Sequence, residues 1–378
     1  MSNTFTLEQM TSFAETFAKN FATNLVSEQA KQALKERNDS VAYKPTSIKP
    51  TKVQVKAIEL FKNIDKKPNE QLVLTVNDWK IKPVGIPTVI EDYYFRAELL
   101  QDITNFVLTD VDYGFWMIGG HGTGKTSVAE QIAARLGMQC YSETCSERTE
   151  FLDLFGYNIP CAGGKMKFVH GGLYLAMQNG GICILNEVDA MSPSELIKLN
   201  ELLGGKPVYV PQTESWLNPH KNFRLIVTSN TNGTGEDPRY IGTGQLNAAF
   251  KDRFMKTYVD YLPQEIEVEY LNGILGKYFD KSNPHYSSVR EKQYKALIVM
   301  IVKVANALRK AAVSMSGGMT PPSIRATKRW LELTLKGTST NGMSGTRSAF
   351  LKAYAYDLSE HEQNAAIEVC IEHFGSDF

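Results

Sequence analysis

An α/β fold with a central, mainly parallel sheet is what this sequence specifies, followed by an all-helical part and preceded by a helical N-terminal extension. Three observations carry that reading. From residue 86 onward, apolar runs of strand length at 115–118, 182–185 and 223–229 alternate with segments of helical period. Beyond residue 262 only helical patterns remain. Near the N-terminus, residues 10–25 carry an apolar stripe at helical spacing. The expected divisions are 1–85 for the extension and its linker, 86–262 for the α/β part, and 263–378 for the helical end.

Length and composition bound the function classes. A chain of 378 residues holds two or three domains. Forty-one basic residues balance 41 acidic ones, so no global positive field advertises nucleic acid or an anionic membrane. Cys140, Cys145, Cys161, Cys183 and Cys370 form no C-x-x-C pair, and their scatter suits reduced thiols in a cytoplasm better than a disulfide framework or a zinc site. The six histidines show no ligand spacing. The most apolar run, 296–302, is stopped by Lys303 and is too short to span a bilayer. No cationic start precedes an apolar core at the N-terminus, so no signal peptide is read.

In the extension, Thr6-Leu-Glu-Gln9 has the form of a capping box. Met10, Phe13, Phe17, Phe21 and Leu25 follow at intervals of three or four and read as an internal packing face. Residues 31–39 are polar and end that helix. Residues 40–56 hold Pro45, Pro50 and four lysines and read as a linker. A short helix over 53–64 and a short strand over 72–76 are expected next.

Residues 115–126, FWMIGGHGTGKT, pass from a strand-type run into Gly119-x4-Gly124-Lys125-Thr126, and a helical pattern follows over 127–136 with Gly137 placed as its C-cap. Strand, glycine loop and helix in that order make a phosphate cradle. Gly122 and Gly124 tolerate positive φ and let the backbone approach an anion. Successive N–H groups across Gly119, Gly120, His121, Gly122, Thr123, Gly124 and Ser127 can point at phosphate oxygens. Lys125 can reach the β- and γ-phosphates, and Thr126 can place its hydroxyl on Mg²⁺. ATP with Mg²⁺ is the ligand this pattern fits.

A second strand is expected at 138–141, a helix at 145–155, a hairpin or insertion over 156–170 and a helical turn at 173–178. The run 182–185 then ends in Asn186-Glu187-Val188-Asp189. A buried strand with a polar end, downstream of a phosphate loop, is where the magnesium shell and the attacking water are managed. Glu187 fits the water-polarising role. Asn186 stands where an acid usually holds the magnesium water; its amide can still accept hydrogen bonds from that water, without the negative charge. Ser192-Pro-Ser-Glu195 reads as a capping box opening a helix over 193–203. A hairpin over 207–218 precedes the strand that ends at Asn230, a residue that alone signals only a turn but gains weight from its place after Glu187.

These parts, with Asp252-Arg253-Phe254 after them, resemble an AAA+ ATPase. FRLIVTSNTNGTGEDPRYIGTGQLNAAFKDRF is similar to the MoxR-type branch, and most similar to the ATPase subunit of cobaltochelatase; so are GHGTGKTSVAEQIAARLG and the lead-in IPTVIEDYYF. The likeness runs from about Ile86 to Gly375, where Arg325 stands five residues before Trp330. The resemblance implies that Asn230 is sensor 1, that Arg253 is an arginine finger reaching a neighbour's γ-phosphate, and that Arg325 is sensor 2 in a helical lid. It implies that residues 156–170 are an insert facing the pore or partner. It also implies a homo-oligomeric, hexameric ring, and a protein partner carrying a metal-ion-dependent adhesion-type domain beside a separate chelating subunit. Asn186 departs from the family's acid at that position.

In the helical end, patterns lie at 265–275, 294–313, 325–335 and 350–374, with a loop at 316–322 and a Lys/Gly/Ser/Thr-rich interval at 336–347 that reads as mobile. Three functions fit. The first is a ring ATPase that remodels a protein. The second is a nucleotide-gated scaffold whose hydrolysis Asn186 keeps slow. The third is a nucleic-acid motor, which the zero net charge opposes and only Lys165 and Lys167 favour.

Overall fold

The computed structural model describes residues 49–111, 113–161, 164, 166–235, 244–279, 288–314, 319–337, 345–376 and 378. The expected N-terminal helix and its capping box lie outside these, as do Lys165 and most of the 336–347 interval. Contacts divide the chain into two units, Thr51–Asp78 with Gly85–Phe378, and Met1–Pro50 with Trp79–Val84. The candidate site lies wholly in the first.

That unit opens with strand β1 (Thr51–Lys56), a single helical turn α1 (Ala57–Leu60) and strand β2 (Val73–Asp78), which pairs antiparallel with β1. The helix expected over 53–64 is therefore strand up to Lys56 and helical only at Ala57–Leu60. Val53 and Val55 alternate with polar residues, which is the period of a strand, and β-branched side chains favour it.

Helix α2 (Ala97–Leu108), strand β3 (Gly114–Ile118), helix α3 (Lys125–Leu136) and strand β4 (Cys140–Thr144) follow. Gly137 caps α3 in the left-handed region, as expected, while β4 starts two residues later than the apolar signal at Met138. The helix expected over 145–155 is a 3₁₀ turn at Phe151–Phe155 only. Polar side chains compete with the helix here. Thr149 Oγ1 accepts from the Ser146 N–H at 2.9 Å, and Glu150 and Asp153 box the turn's start.

The expected insertion is a hairpin of β5 (Gly156–Pro160) and β6 (Met166–His170). Helix α4 (Gly172–Asn179) leads into strand β7 (Ile182–Asn186). The helix expected over 193–203 is two short ones, α5 (Pro193–Leu196) and α6 (Leu199–Leu203). Bonds of i to i+3 type at Lys198 and Asn200 tighten the join. The expected capping box does not form. Ser192 Oγ pairs with Ser194 Oγ, and Glu195 turns to the Phe151 N–H and Lys198 instead.

Hairpin β8 (Val208–Val210) and β9 (Ser215–Leu217), strand β10 (Arg224–Ser229), the turn α7 (Ala248–Lys251) and strand β11 (Phe254–Tyr258) complete the α/β part. The five central strands are parallel, in the order β11-β3-β10-β7-β4. Both faces are covered, so the inner strands β3, β10 and β7 are buried along nearly their whole length, while the edge strands β4 and β11 carry exposed polar residues. Phe115, Met117, Ile182, Ile184 and Ile226 point to the side of α2 and α3. Trp116, Ile118, Cys183, Leu185, Leu225 and Val227 point to the side of α4 and α6.

Helices α8 (Gln264–Tyr278), α9 (Ser288–Ser314), α10 (Ile324–Leu335), α11 (Gly345–Ala353) and α12 (Glu360–Phe374) build a further core around Trp330, Phe350 and Leu308. The single pattern expected over 350–374 is broken between α11 and α12, where Ser359 and Glu362 form a reciprocal capping box that starts a new helix.

A candidate nucleotide site at the sheet's C-terminal edge

Because the central strands run parallel, their C-terminal ends meet along one edge. β10 lies between β3 and β7, so the glycine loop after β3, Asn230 after β10 and the end of β7 are neighbours there. Adjacent strands are ~4.8 Å apart, which places the three ends within about 10 Å.

The loop's geometry requires its glycines. A Cβ on Gly119 would fall on the Val259 carbonyl oxygen. Gly122 and Gly124 have φ of 69° and 87°, and Gly124 is the N-cap of α3. No side chain caps that helix. Its first N–H groups, together with the loop, form a cradle that suits phosphate. Thr123 is buried, and its hydroxyl donates to the Gly120 carbonyl at 3.1 Å. Ser127 and His121 are exposed. Partial desolvation of its ring, and secondly the Lys125 charge, lower the His121 pKa.

Lys125 is only 9% exposed, and its ammonium donates to the carbonyls of Gly119 at 2.6 Å and Gly120 at 2.9 Å, and to Asn230 Oδ1 at 3.2 Å. Burial pushes its pKa down to about 8, against the upward pull of Asp189 and Glu187. Thr126 Oγ1 donates to Asn186 Oδ1 at 2.5 Å, and Thr228 Oγ1 donates to the same oxygen at 3.1 Å. Asn186 Nδ2 donates to Ser142 Oγ at 2.7 Å and to the Glu143 carbonyl at 3.3 Å. Asn186 is thus an amide bridge between the glycine loop's helix and three strands.

Glu187 is exposed, with φ 55° and ψ 42°. A non-glycine residue in the left-handed region costs about 1–2 kcal/mol, and such strain gathers at sites where a side chain must be presented in one direction. Its charge is felt at Lys125 and His121.

The two arginines differ. Arg325 is the second residue of α10, and the turn it sits on touches the glycine loop, since a Cβ on Gly122 would lie 2.6 Å from Ser323 Cβ. Arg253 is exposed just before β11, and its carbonyl accepts from the Gly114 N–H at 3.0 Å. Gly114 is the start of β3, so Arg253 lies a strand's length, ~16 Å at the rise of a parallel strand, from its own glycine loop. The structure brings Gly119 to Ser127, Asn186, Glu187, Asn230 and Arg325 together and leaves Arg253 apart.

Two residues passed over in the sequence support the site. Asp189 is buried, and its Oδ2 accepts from Thr231 N at 3.1 Å and Thr231 Oγ1 at 2.8 Å, which fixes the turn after Asn230. Its signal was the NEVD string itself. Arg96 donates to the Asp260 carbonyl at 2.5 Å and the Thr123 carbonyl at 3.3 Å, tying the glycine loop to the segment after β11. Nothing local in the sequence marks that role.

Comparison with known proteins gives this arrangement a family. Residues 114–254 match the AAA domain of the dynein-related subfamily. They form an AAA+ domain. Midasin of Dictyostelium discoideum is 30% identical over 188 residues, which are 49% of this chain and 3% of that protein. The aerobic cobaltochelatase subunit CobS of Sinorhizobium sp is 31% identical over 192 residues, 49% of this chain and 57% of that one. The chain thus spans less than two thirds of either relative. A solved structure of NtrX from Brucella abortus overlaps with a TM-score of 0.45 at 16% identity, over 74% of this chain and 62% of that one. Residues 114–254 thus carry the AAA domain, a domain of the ATPase class, and over about half its length the chain is similar to the cobaltochelatase subunit. Among the described residues, no helix is long and apolar enough to cross a membrane.

Proposed function

We propose that this chain is a ring-forming AAA+ ATPase of the MoxR type, which couples ATP binding and hydrolysis to the remodelling of a protein partner. One observation carries the reading. The groups that would hold and activate ATP converge on one sheet edge, while the exposed Arg253 lies at the opposite end of the strands, out of reach of its own glycine loop. A site with that layout is completed by a second copy.

In this reading the N–H groups of the loop and of α3 hold the phosphates, and Lys125 leaves its carbonyl partners for the β- and γ-oxygens. Thr126 and, through water, Asn186 would hold Mg²⁺, which supplies positive charge at the phosphate oxygens when bound. The donor set fits a hydrated ion, with one hydroxyl and one amide oxygen already 2.5 Å apart. Glu187 polarises the attacking water and Asn230 orients it. Arg253 of a neighbouring copy stabilises the charge that develops, and Arg325 couples the helical lid to the nucleotide. A hexamer is the assembly the family likeness favours. Similarity to a cobaltochelatase subunit favours service as the motor of a chelatase-like complex, acting on a partner with a metal-ion-dependent adhesion-type domain. The five free cysteines favour a reducing, cytoplasmic setting.

Mixing two inactive variants tests the layout. Arg253→Ala and Glu187→Gln are each expected to lose ATPase activity, and their mixture to regain a fraction of it, because Glu187 of one copy can face Arg253 of the other. No recovery on mixing, with both variants still assembling, would defeat the reading.

A second reading has its own observation. Asn186 brings no charge to the metal position, and its amide occupies the Thr126 hydroxyl. That arrangement favours a scaffold that binds ATP and turns over slowly.

A further inference from the structure

We propose that a buried clasp of Glu267, Arg309 and Thr327 is the device that sets Arg325 against the glycine loop. The proposal rests on the reading of Arg325 as a residue that senses nucleotide.

The three side chains come from α8, α9 and α10, and all are buried. Arg309 meets Glu267 fork to fork, Nη1 to Oε2 at 2.6 Å and Nη2 to Oε1 at 3.1 Å. Thr327 Oγ1 donates to Glu267 Oε1 at 2.7 Å. Arg309 also donates from Nη1 to Asn306 Oδ1 at 2.9 Å and from Nε to the Pro322 carbonyl at 2.9 Å. Its guanidinium lies over the Tyr261 ring, 4.2 Å from the centroid. Both carboxylate oxygens and all three guanidinium nitrogens are engaged.

An ion pair buried this deeply gains little over apolar packing, because loss of hydration offsets the attraction. What it supplies is direction, since a bidentate fork admits one geometry. The directions are informative. Pro322 immediately precedes Ser323, the N-cap of α10, and Thr327 follows Arg325 by two residues. The clasp therefore holds the chain on both sides of Arg325. The held turn touches the nucleotide loop, because Ser323 fills the space that a side chain on Gly122 would need. A second route joins the same parts: Tyr261 follows Asp260, whose carbonyl takes Arg96, and Arg96 also holds Thr123. Arg325 is close enough for its charge to depress the pKa of Lys125 and His121.

If the clasp acts through Arg325, removing either should weaken nucleotide binding, and removing both should do no more. The test is binding of a fluorescent ATP analogue by the full chain, for Glu267→Gln, Arg325→Ala and the double variant. Each single variant is expected to lose about tenfold in affinity, and the double about the same. Multiplied losses, or wild-type affinity in Glu267→Gln with only a lowered Tm, would make the clasp a structural feature and overturn the proposal. Wild-type affinity in Arg325→Ala would instead overturn the reading of Arg325 beneath it. If Glu267→Gln fails to fold, the same cycle is read with Thr327→Val, which drops the hydroxyl's bonds to Glu267 and to the Ile324 carbonyl at nearly constant volume, and the same pattern of non-additive against multiplied losses decides.

Discussion

The Lys125 ammonium and Asn230 Oδ1 lie 3.2 Å apart, across the gap between the ends of two adjacent strands. Lys125 keeps two carbonyl partners of its own, so it does not depend on Asn230 for its position. Asn230→Ala is therefore expected to leave nucleotide affinity within about threefold of wild type while lowering kcat by about 10²-fold, as loss of one group that positions the reacting atoms does. Steady-state kinetics with a separate binding measurement check the split; an equal loss in affinity would assign Asn230 to binding.

Lys125 also dictates a pH dependence. Its folded pKa of about 8 lies below the 10.5 of an unperturbed lysine, with burial as the main cause. Phosphate binding needs the ammonium form, so affinity is expected to fall as pH rises through about 8, with proton uptake on binding above that point. Stability of the nucleotide-free chain runs the other way. Between about 8 and 10.5 the unfolded chain holds more protons at this residue, so the contribution of Lys125 to stability rises with pH. Calorimetric titration in buffers of different ionisation heat, at about pH 7 and about pH 9, reads both the affinity and the proton. An affinity unchanged across that range would contradict the assignment.

Asn186 can be tested as an amide. In Asn186→Asp one carboxylate oxygen keeps the Thr126 and Thr228 hydroxyls, but the other replaces a donor that faces the Glu143 carbonyl at 3.3 Å. The substitution is expected to destabilise the free protein by about 1–3 kcal/mol. Mg²⁺ with nucleotide should recover part of that loss, because a charge now faces the ion. Thermal melts with and without Mg²⁺–ATP check this; a variant more stable than wild type when free would show the amide has no structural role.

Gly122 reports on the contact with α10. A methyl group there meets Ser323 at 2.6 Å, on a backbone already at φ 69°. Gly122→Ala is expected to lose about 1–3 kcal/mol of stability from strain. Gly122→Ala combined with Ser323→Gly should regain the part due to collision, and melting of Gly122→Ala, Ser323→Gly and the double variant separates collision from backbone strain.

Much of the site was legible because its signals are local. A strand that ends in glycines and Lys-Thr, or in Asn-Glu, shows both its burial and its polar tip within ten residues, and parallel pairing then brings the tips together. Gly137 was legible for the same reason, since a C-cap needs only its own φ. What escaped was long-range or competitive. Glu267 and Arg309 stand 42 residues apart, and no periodicity marks their pairing. Arg96 reads as an ordinary polar residue until Thr123 and Asp260 converge on it. The helix expected over 145–155 shrank where Thr149 and Glu150 bonded nearby backbone, and the one expected over 193–203 split where bonds of i to i+3 type at Lys198 and Asn200 tighten the chain. Val53 and Val55 carried a strand signal that a helical count of the same stretch overrode. At Ser359-Glu-His-Glu362 the capping box was plain in the sequence and was absorbed into one long apolar pattern.

The most direct measurement is the steady-state ATPase rate per subunit as a function of protein concentration, with Lys125→Ala as the blank. If Arg253 completes a neighbour's site, the rate per subunit climbs with concentration until the ring is assembled, and the blank stays flat. A rate above the blank that is the same per subunit from the most dilute sample upward would mean that each chain hydrolyses ATP alone, which contradicts a site shared between copies.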